Sequence, residues 1–220
     1  MTEKNRPGKF LTFSYDDGIA QDIRLIRLLE KYGMRGTFHI CSGHCDNSTA
    51  TLQNIISAGK GKIPAAEIRS VYHGHEVSAH TRSHLRLREL SDSEVLSETE
   101  GDRLRLSELV GYEVTGLAYP YGVRDERVIR LIRENTGIRY ARTAAASLSF
   151  DIPNEILEMP PTARHCTDED WSTLFALGEK FIEAAPRRDM HFCVINPGFY
   201  FLFLFGKIRG HCGGLVTFRP

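Results

Sequence analysis

The chain carries no net charge, because 28 Lys and Arg balance 28 Asp and Glu. That balance argues against nucleic-acid or anionic-membrane binding driven by bulk charge. It lacks an apolar run of about eighteen residues, so no membrane span is expected. Met1 to Lys9 is polar and has neither the apolar core nor the small-residue cleavage site of a secretory signal, so a cytoplasmic location is expected. Cysteine is scarce: there are five, with no CxxC pair. Cys41-Ser42-Gly43-His44-Cys45 fits no standard zinc spacing, so free thiols in a reducing compartment are expected. The one tryptophan, Trp171, has helical spacing with Leu174 and Phe175 and is assigned to the core. With no internal repeat, linker or low-complexity tract, one domain over residues 1–220 is expected.

What is present is an alternation of strand and helix signals. Apolar Phe10 to Phe13 leads into Asp16-Asp17-Gly18, a strand opening onto a polar turn. Gln21 to Lys31 is amphipathic, with Ile23, Ile26, Leu28 and Leu29 on one face. Short strands are expected at 36–40, 76–79, 116–119, 138–142 and 191–195. Helices are expected at 65–71, from near Ser91 to Leu109, at 125–134 and from Asp168 or Asp170 to about Phe181. Ser91 and Glu94 supply a capping box for the longest of them. This alternation predicts βαβ units and a mostly parallel α/β sheet, whose sites gather at the carboxyl ends of the strands.

Three polar clusters fall at such ends. Adjacent carboxylates such as Asp16 and Asp17 repel, and a bound cation is the usual compensation, although Asp-Asp-Gly alone also suits a solvated turn. His80 and His84 follow the 76–79 strand; if that segment takes a helical turn, both imidazoles face one metal and need one carboxylate more. Tyr119-Pro120-Tyr121-Gly122 forms a tight turn at a third strand end.

Thr12-Phe13-Ser14-Tyr15-Asp16-Asp17-Gly18, His80-Thr81-Arg82-Ser83-His84 and Tyr119-Pro120-Tyr121-Gly122 stand in the order and approximate spacing found in the polysaccharide deacetylases (the NodB-homology domain, carbohydrate esterase family four). The chain resembles that family from Phe10 to about Phe181. The resemblance implies a distorted, incomplete (β/α) barrel that removes acetyl groups from N-acetylated or O-acetylated sugars with water activated by a divalent metal. Zinc is the first choice, with cobalt, nickel or manganese as alternatives. By the same resemblance, Asp17, His80 and His84 are the metal ligands and Asp16 the base. The backbone N–H of Tyr121 holds the oxyanion, and Tyr119, Pro120, Tyr121 and His165 are candidate substrate contacts, His165 having a structural alternative.

Two departures stand out. The family's arginine, two residues before the motif proline, is replaced by Ala118, and Arg142 at the next strand end is the candidate substitute. The family's acidic histidine after the last strand is missing from Asn196-Pro197-Gly198-Phe199-Tyr200. His191 lies at the wrong end of its strand, and His211 sits in an atypical tail, Phe199 to Pro220, that contains a seven-residue apolar run. Two other functions therefore stay open: hydrolysis of non-peptide C–N bonds in small amides on the same scaffold, or metal or sugar binding without catalysis. The sequence leaves the sugar, the linkage and the oligomeric state open.

Overall fold

The computed structural model describes residues 7–164 and 168–196. Seven strands form one sheet: β1 (Lys9–Asp16), β2 (Thr37–Ile40), β3 (Glu76–Ala79), β4 (Gly116–Ala118), β5 (Tyr140–Arg142), β6 (Ala163–Arg164) and β7 (Met190–Asn196). Their order is β5-β4-β3-β2-β1-β7-β6, and every neighbouring pair is parallel. Parallel neighbours need crossovers. These are supplied by α1 (Gln21–Lys31), α2 (Ser42–Asp46), α3 (Leu52–Ala58), α4 (Ile68–Val71), α5 (Asp92–Val110), α6 (Glu126–Asn135) and α7 (Asp168–Glu183). The expected helix at 65–71 is a 3-10 turn over Ala65–Glu67 that tightens into the short α4.

Local signals account for the helices. α1 buries Leu25, Ile26 and Leu29 on one face. α5 starts with the capping box, Ser91 accepting from the Glu94 N–H while the Glu94 carboxylate accepts from the Ser91 N–H, and ends at Gly111 with φ +81. Such a capping residue contributes about 1 kcal/mol.

The two faces of the sheet differ. Phe13 and Tyr15 of β1 are buried, and Phe38 stacks between Tyr15 and Tyr72 at ring-centroid distances of 6.0 and 5.0 Å. Thr12, Ser14 and Asp16 alternate with them and face the other way. There the Thr12 hydroxyl is hydrogen-bonded to His191 Nε2 and the Ser14 hydroxyl to His39 Nε2, each at 2.8 Å.

That polar face is concave. Arg142 on β5 touches Asp16 on β1, although β1 is the fourth strand along in the order. In a flat sheet the two would stand about 19 Å apart, four strand spacings, beyond the reach of any side chain, so the sheet curls. Strand β6 and the segment before it lay outside the strand signals read from the sequence, and they complete the curl. Met159 N donates to Ala141 O, and Thr143 N to Met159 O, both at 2.9 Å. Three residues on, Thr162 N donates to Cys193 O at 2.8 Å, and β6 then pairs with β7. A connecting segment thus stands where a further strand would close a barrel: an incomplete α/β barrel, as the sequence led us to expect. Among the described residues no helix is long and apolar enough to cross a membrane.

Candidate active site

The carboxyl ends of β1, β3, β4 and β5 converge on one cleft. Asp16 is the last residue of β1 and lies in register with His39. Its carboxylate receives the Arg142 guanidinium in a short ion pair. Arg142 is 4% exposed, and its second terminal nitrogen donates to Thr143 O at 2.9 Å. Burial pushes the Asp16 pKa up, but the Arg142 charge, then His80 and His39, then the Arg142 hydrogen bond, pull it down to about 2. Ala118 and Arg142 are register partners on adjacent parallel strands, so their side chains share a face. A guanidinium therefore enters the cleft one strand over from the position that Ala118 leaves without one.

One residue after Asp16 the backbone changes. Asp17 has φ +84 and Gly18 φ +59, and the Asp17 N–H crosses to His39 O at 2.9 Å. Side chains avoid such angles unless their surroundings hold them there. Four of the five non-glycine residues with positive φ among the described residues, namely Asp17, Thr81, His84 and Tyr121, lie in these strand-end loops.

The expected helical turn over 80–84 is absent. The chain there is irregular, and left-handed angles at Thr81 (φ +60) and His84 (φ +57) fold it back on itself. The imidazoles still meet edge to face, with centroids 4.8 Å apart. The pairing that i, i+4 spacing would give on a helix is reached here by two left-handed residues instead.

One ligand atom each from Asp17, His80 and His84 lie within 4.8 Å of one another, the one cluster of this kind among the described residues. His80 Nδ1–H donates to Ala118 O at 2.8 Å, which fixes the tautomer and leaves Nε2 as a lone-pair donor. Burial, then the neighbouring His80, lower the His84 pKa and favour its neutral, ligating form. Two imidazoles and a carboxylate suit a divalent ion with open positions. The residues present fit the metal that the sequence implied.

Two supports missed in the sequence, Asp102 and Lys62, flank this group. Asp102 on α5 is wholly buried and accepts from the backbone N–H groups of Ser42 (2.7 Å) and His80 (2.9 Å). It ties the ends of β2 and β3 to one helix. A signal existed: Val95, Thr99, Asp102, Leu106 and Val110 form the buried stripe of α5, so a carboxylate stands where an apolar residue belongs. Lys62 lies 3.2 Å from Asp17 Oδ1 and donates to Asp17 O at 2.9 Å; nothing in the local sequence marks it. His39 is buried beside the site, its ring centroid 6.5 Å from that of His80. Burial, then Arg142, lower its pKa to about 3, so it is neutral.

Of the three motif residues expected at the substrate, only Tyr121 presents its side chain to the cleft. It is 57% exposed, stacks edge to face on His84 at 4.7 Å and carries Arg86 over its ring at 4.2 Å. Tyr119 and Pro120 are buried, and the Tyr119 hydroxyl donates to Leu157 O at 3.0 Å. Their side chains pack inside the fold at this turn. His165, His211 and the Phe199 to Pro220 tail lie outside the described residues. His75 sits at the opposite end of the sheet, where its Nδ1 accepts from Gly36 N at 3.1 Å. Cys41, Cys45 and Cys193 are free and buried.

Similar proteins share this architecture. IcaB from Ammonifex degensii superposes with a TM-score of 0.62 over 78% of this chain and 73% of its own, at 18% identity. A polysaccharide deacetylase from Bacillus cereus does so with 0.55 over 69% of this chain, at 22% identity, and the match spans only 45% of that protein's length. A CE4 family pseudoenzyme from Bacillus anthracis matches with 0.51 over 88% of this chain and 56% of its own, at 14% identity. No curated protein is similar in sequence. A family model described as polysaccharide deacetylase matches residues 3–141, more than half of the sequence. The chain belongs to the polysaccharide deacetylase family.

Proposed function

We propose that this protein is a metal-dependent hydrolase that removes acetyl groups from N-acetylated or O-acetylated sugars. The observation that carries the reading is the placing of the Asp17, His80 and His84 cluster beside the Asp16–Arg142 pair in one cleft. A divalent metal held by the three, zinc before cobalt, nickel or manganese, would supply a Lewis acid for the acetyl carbonyl and make water more acidic.

The protein's own residues do the rest. Asp16 stays ionised at neutral pH, because burial is outweighed by the charges of Arg142, His80 and His39 together with the Arg142 hydrogen bond, and so can receive the proton of an attacking water. Arg142 holds that carboxylate in one orientation as a positioning residue. Tyr121 lies above His84, with its backbone N–H as the oxyanion donor and its exposed ring as a face for the sugar.

A second reading is metal or sugar binding without turnover. It is favoured by the lack of a histidine in Asn196 to Tyr200, since that removes the proton donor to the leaving group.

The test is metal content together with acetate release from N-acetylglucosamine oligomers, on wild type and on Asp16→Asn. Bound metal with acetate released only by wild type supports the deacetylase. Bound metal without acetate from either protein favours the second reading, and turnover of small amides instead would move the substrate class. A folded protein that binds no metal would sink the deacetylase reading and leave only sugar binding from the second.

A further inference from the structure

We infer that Lys62 is a built-in competitor for the metal position and sets how tightly an ion is held there; this rests on the metal reading above. Lys62 Nζ is 3.2 Å from Asp17 Oδ1, and that oxygen also lies 3.9 Å from His84 Nε2. The oxygen turned toward the imidazole, the one a metal would share with His84, is already engaged by an ammonium. Both cations want the same lone pairs, and like charges a few ångströms apart repel.

The competitor can yield. Lys62 and Asp17 side chains are 31% and 35% exposed, so their attraction is screened by solvent. The ammonium also has a second acceptor, the Asp17 carbonyl at 2.9 Å, to which it can stay bonded once the carboxylate turns to an ion. Lys62 is therefore a displaceable counter-charge to Asp17. It is seated by backbone contacts that its side chain does not supply. Ile63 N donates to Gly18 O at 2.9 Å and Ala20 N to Gly61 O at 3.0 Å, Ile19 and Lys62 form an antiparallel bridge, and the Ser48 hydroxyl donates to Lys62 O at 3.1 Å. Replacing the side chain leaves this clip in place.

The experiment is calorimetric titration of zinc into metal-free wild type, Lys62→Met and Lys62→Arg, at about 0.05 M and about 1 M salt, where the screening length falls from over 10 Å to about 3 Å. Lys62→Met keeps the aliphatic stem and removes the charge; it should bind about two- to fivefold more tightly than wild type at low salt, the scale expected for displacing an exposed ion pair. The gap should narrow at high salt, and Lys62→Arg should stay near wild type. A purely structural lysine would not give a salt-dependent gain. Equal or weaker binding by Lys62→Met, with wild type binding zinc, overturns the inference and leaves the metal reading intact. Zinc bound by none of the three folded proteins overturns both.

Discussion

Asp16 and Asp17 are adjacent carboxylates in one cleft, yet the fold holds them in opposite ways. Asp16 ends a strand with a partner on each side, and its side chain is locked by a buried guanidinium. Asp17 sits in a left-handed turn, about a third exposed, against a lysine that solvent also reaches. The strand-borne half of the site has its orientation fixed before anything binds, which suits a group that must meet a proton in one direction. The loop-borne half, Asp17 with His84, stands on left-handed angles and partly exposed charges, which suits groups that must close on an ion. Rigidity and adaptability are thus separated by a single peptide bond.

Removing a loop-borne ligand should have the largest effect and leave the strand-borne half standing. Closed four-ligand structural zinc sites bind with about 10–16 kcal/mol, roughly 3 kcal/mol or more per ligand, and the same scale per ligand is expected at this open three-ligand site. His84→Ala should weaken zinc binding by at least about a hundredfold, measured by competition with a chelator, while the metal-free protein unfolds in urea close to wild type. A large loss of folding stability would break the distinction between the two halves.

The converse variant is Arg142→Met. It leaves the Asp16 carboxylate buried without its partner, which should cost about 3 kcal/mol in urea unfolding. Zinc affinity should stay within about twofold of wild type, because no ligand atom moves, while acetate release should fall about a hundredfold for lack of orientation. Loss of zinc binding in this variant would show that the two halves are one unit.

The two kinds of buried carboxyl also make opposite pH signatures in the metal-free protein. Burial raises the Asp102 pKa from an ordinary 3.8 to about 7, against the backbone hydrogen bonds from Ser42 and His80. The folded chain then keeps a proton that the unfolded chain releases above about pH 4. The Asp102 contribution is whole below that pH and is lost as pH rises toward 7. Asp16, depressed from 3.8 to about 2, contributes above pH 4 and loses that contribution as pH falls toward 2. Asp102→Asn should flatten the decline between pH 4 and 7 by on the order of 1–3 kcal/mol without touching the acid limb. Urea midpoints across pH 2 to 8 check it, and an unchanged profile would remove Asp102 from the account.

Much of this arrangement was legible because parallel strands place their carboxyl ends together. Asp16, His80 and Tyr121 could be brought to one rim from hydrophobic spacing and turn residues alone, and the capping box of α5 was read correctly down to Ser91 and Glu94. What escaped depends on tertiary geometry. Arg142 could be named as the candidate substitute from its strand end, but the curl that brings it to Asp16 could not, because strand signals carry no curvature. His80 and His84 were matched to the right partners through the wrong local shape, since spacing of four reads as a helix whereas left-handed angles at Thr81 and His84 leave no trace in those residue types. Lys62 arrives through a backbone clip between two loops, a contact with no periodicity to betray it. Asp102 is the instructive miss: a charge in the buried stripe of a helix was there to be seen.

The smallest expected effect tests the hinge between the two aspartates' environments. Gly18 has φ +59, and a Cβ added there would stand 3.1 Å from Ile40 Cγ2, a buried side chain at the end of β2. Gly18→Ala combines the left-handed penalty for an L-residue, about 1 kcal/mol, with a contact that Ile40 relieves by a small shift, so the total should be about 1–2 kcal/mol in urea unfolding. The strain falls on the loop side of the boundary. Asp17 precedes the altered residue in the same left-handed turn, whereas Asp16 is pinned by its ladder and by Arg142. Zinc affinity should therefore drop several-fold while the acid limb of the stability profile, the signature of Asp16, stays where it was. A shift of that acid limb would mean that the turn and the strand end move together, and the division between a fixed carboxylate and an adaptable one would fail at its narrowest point.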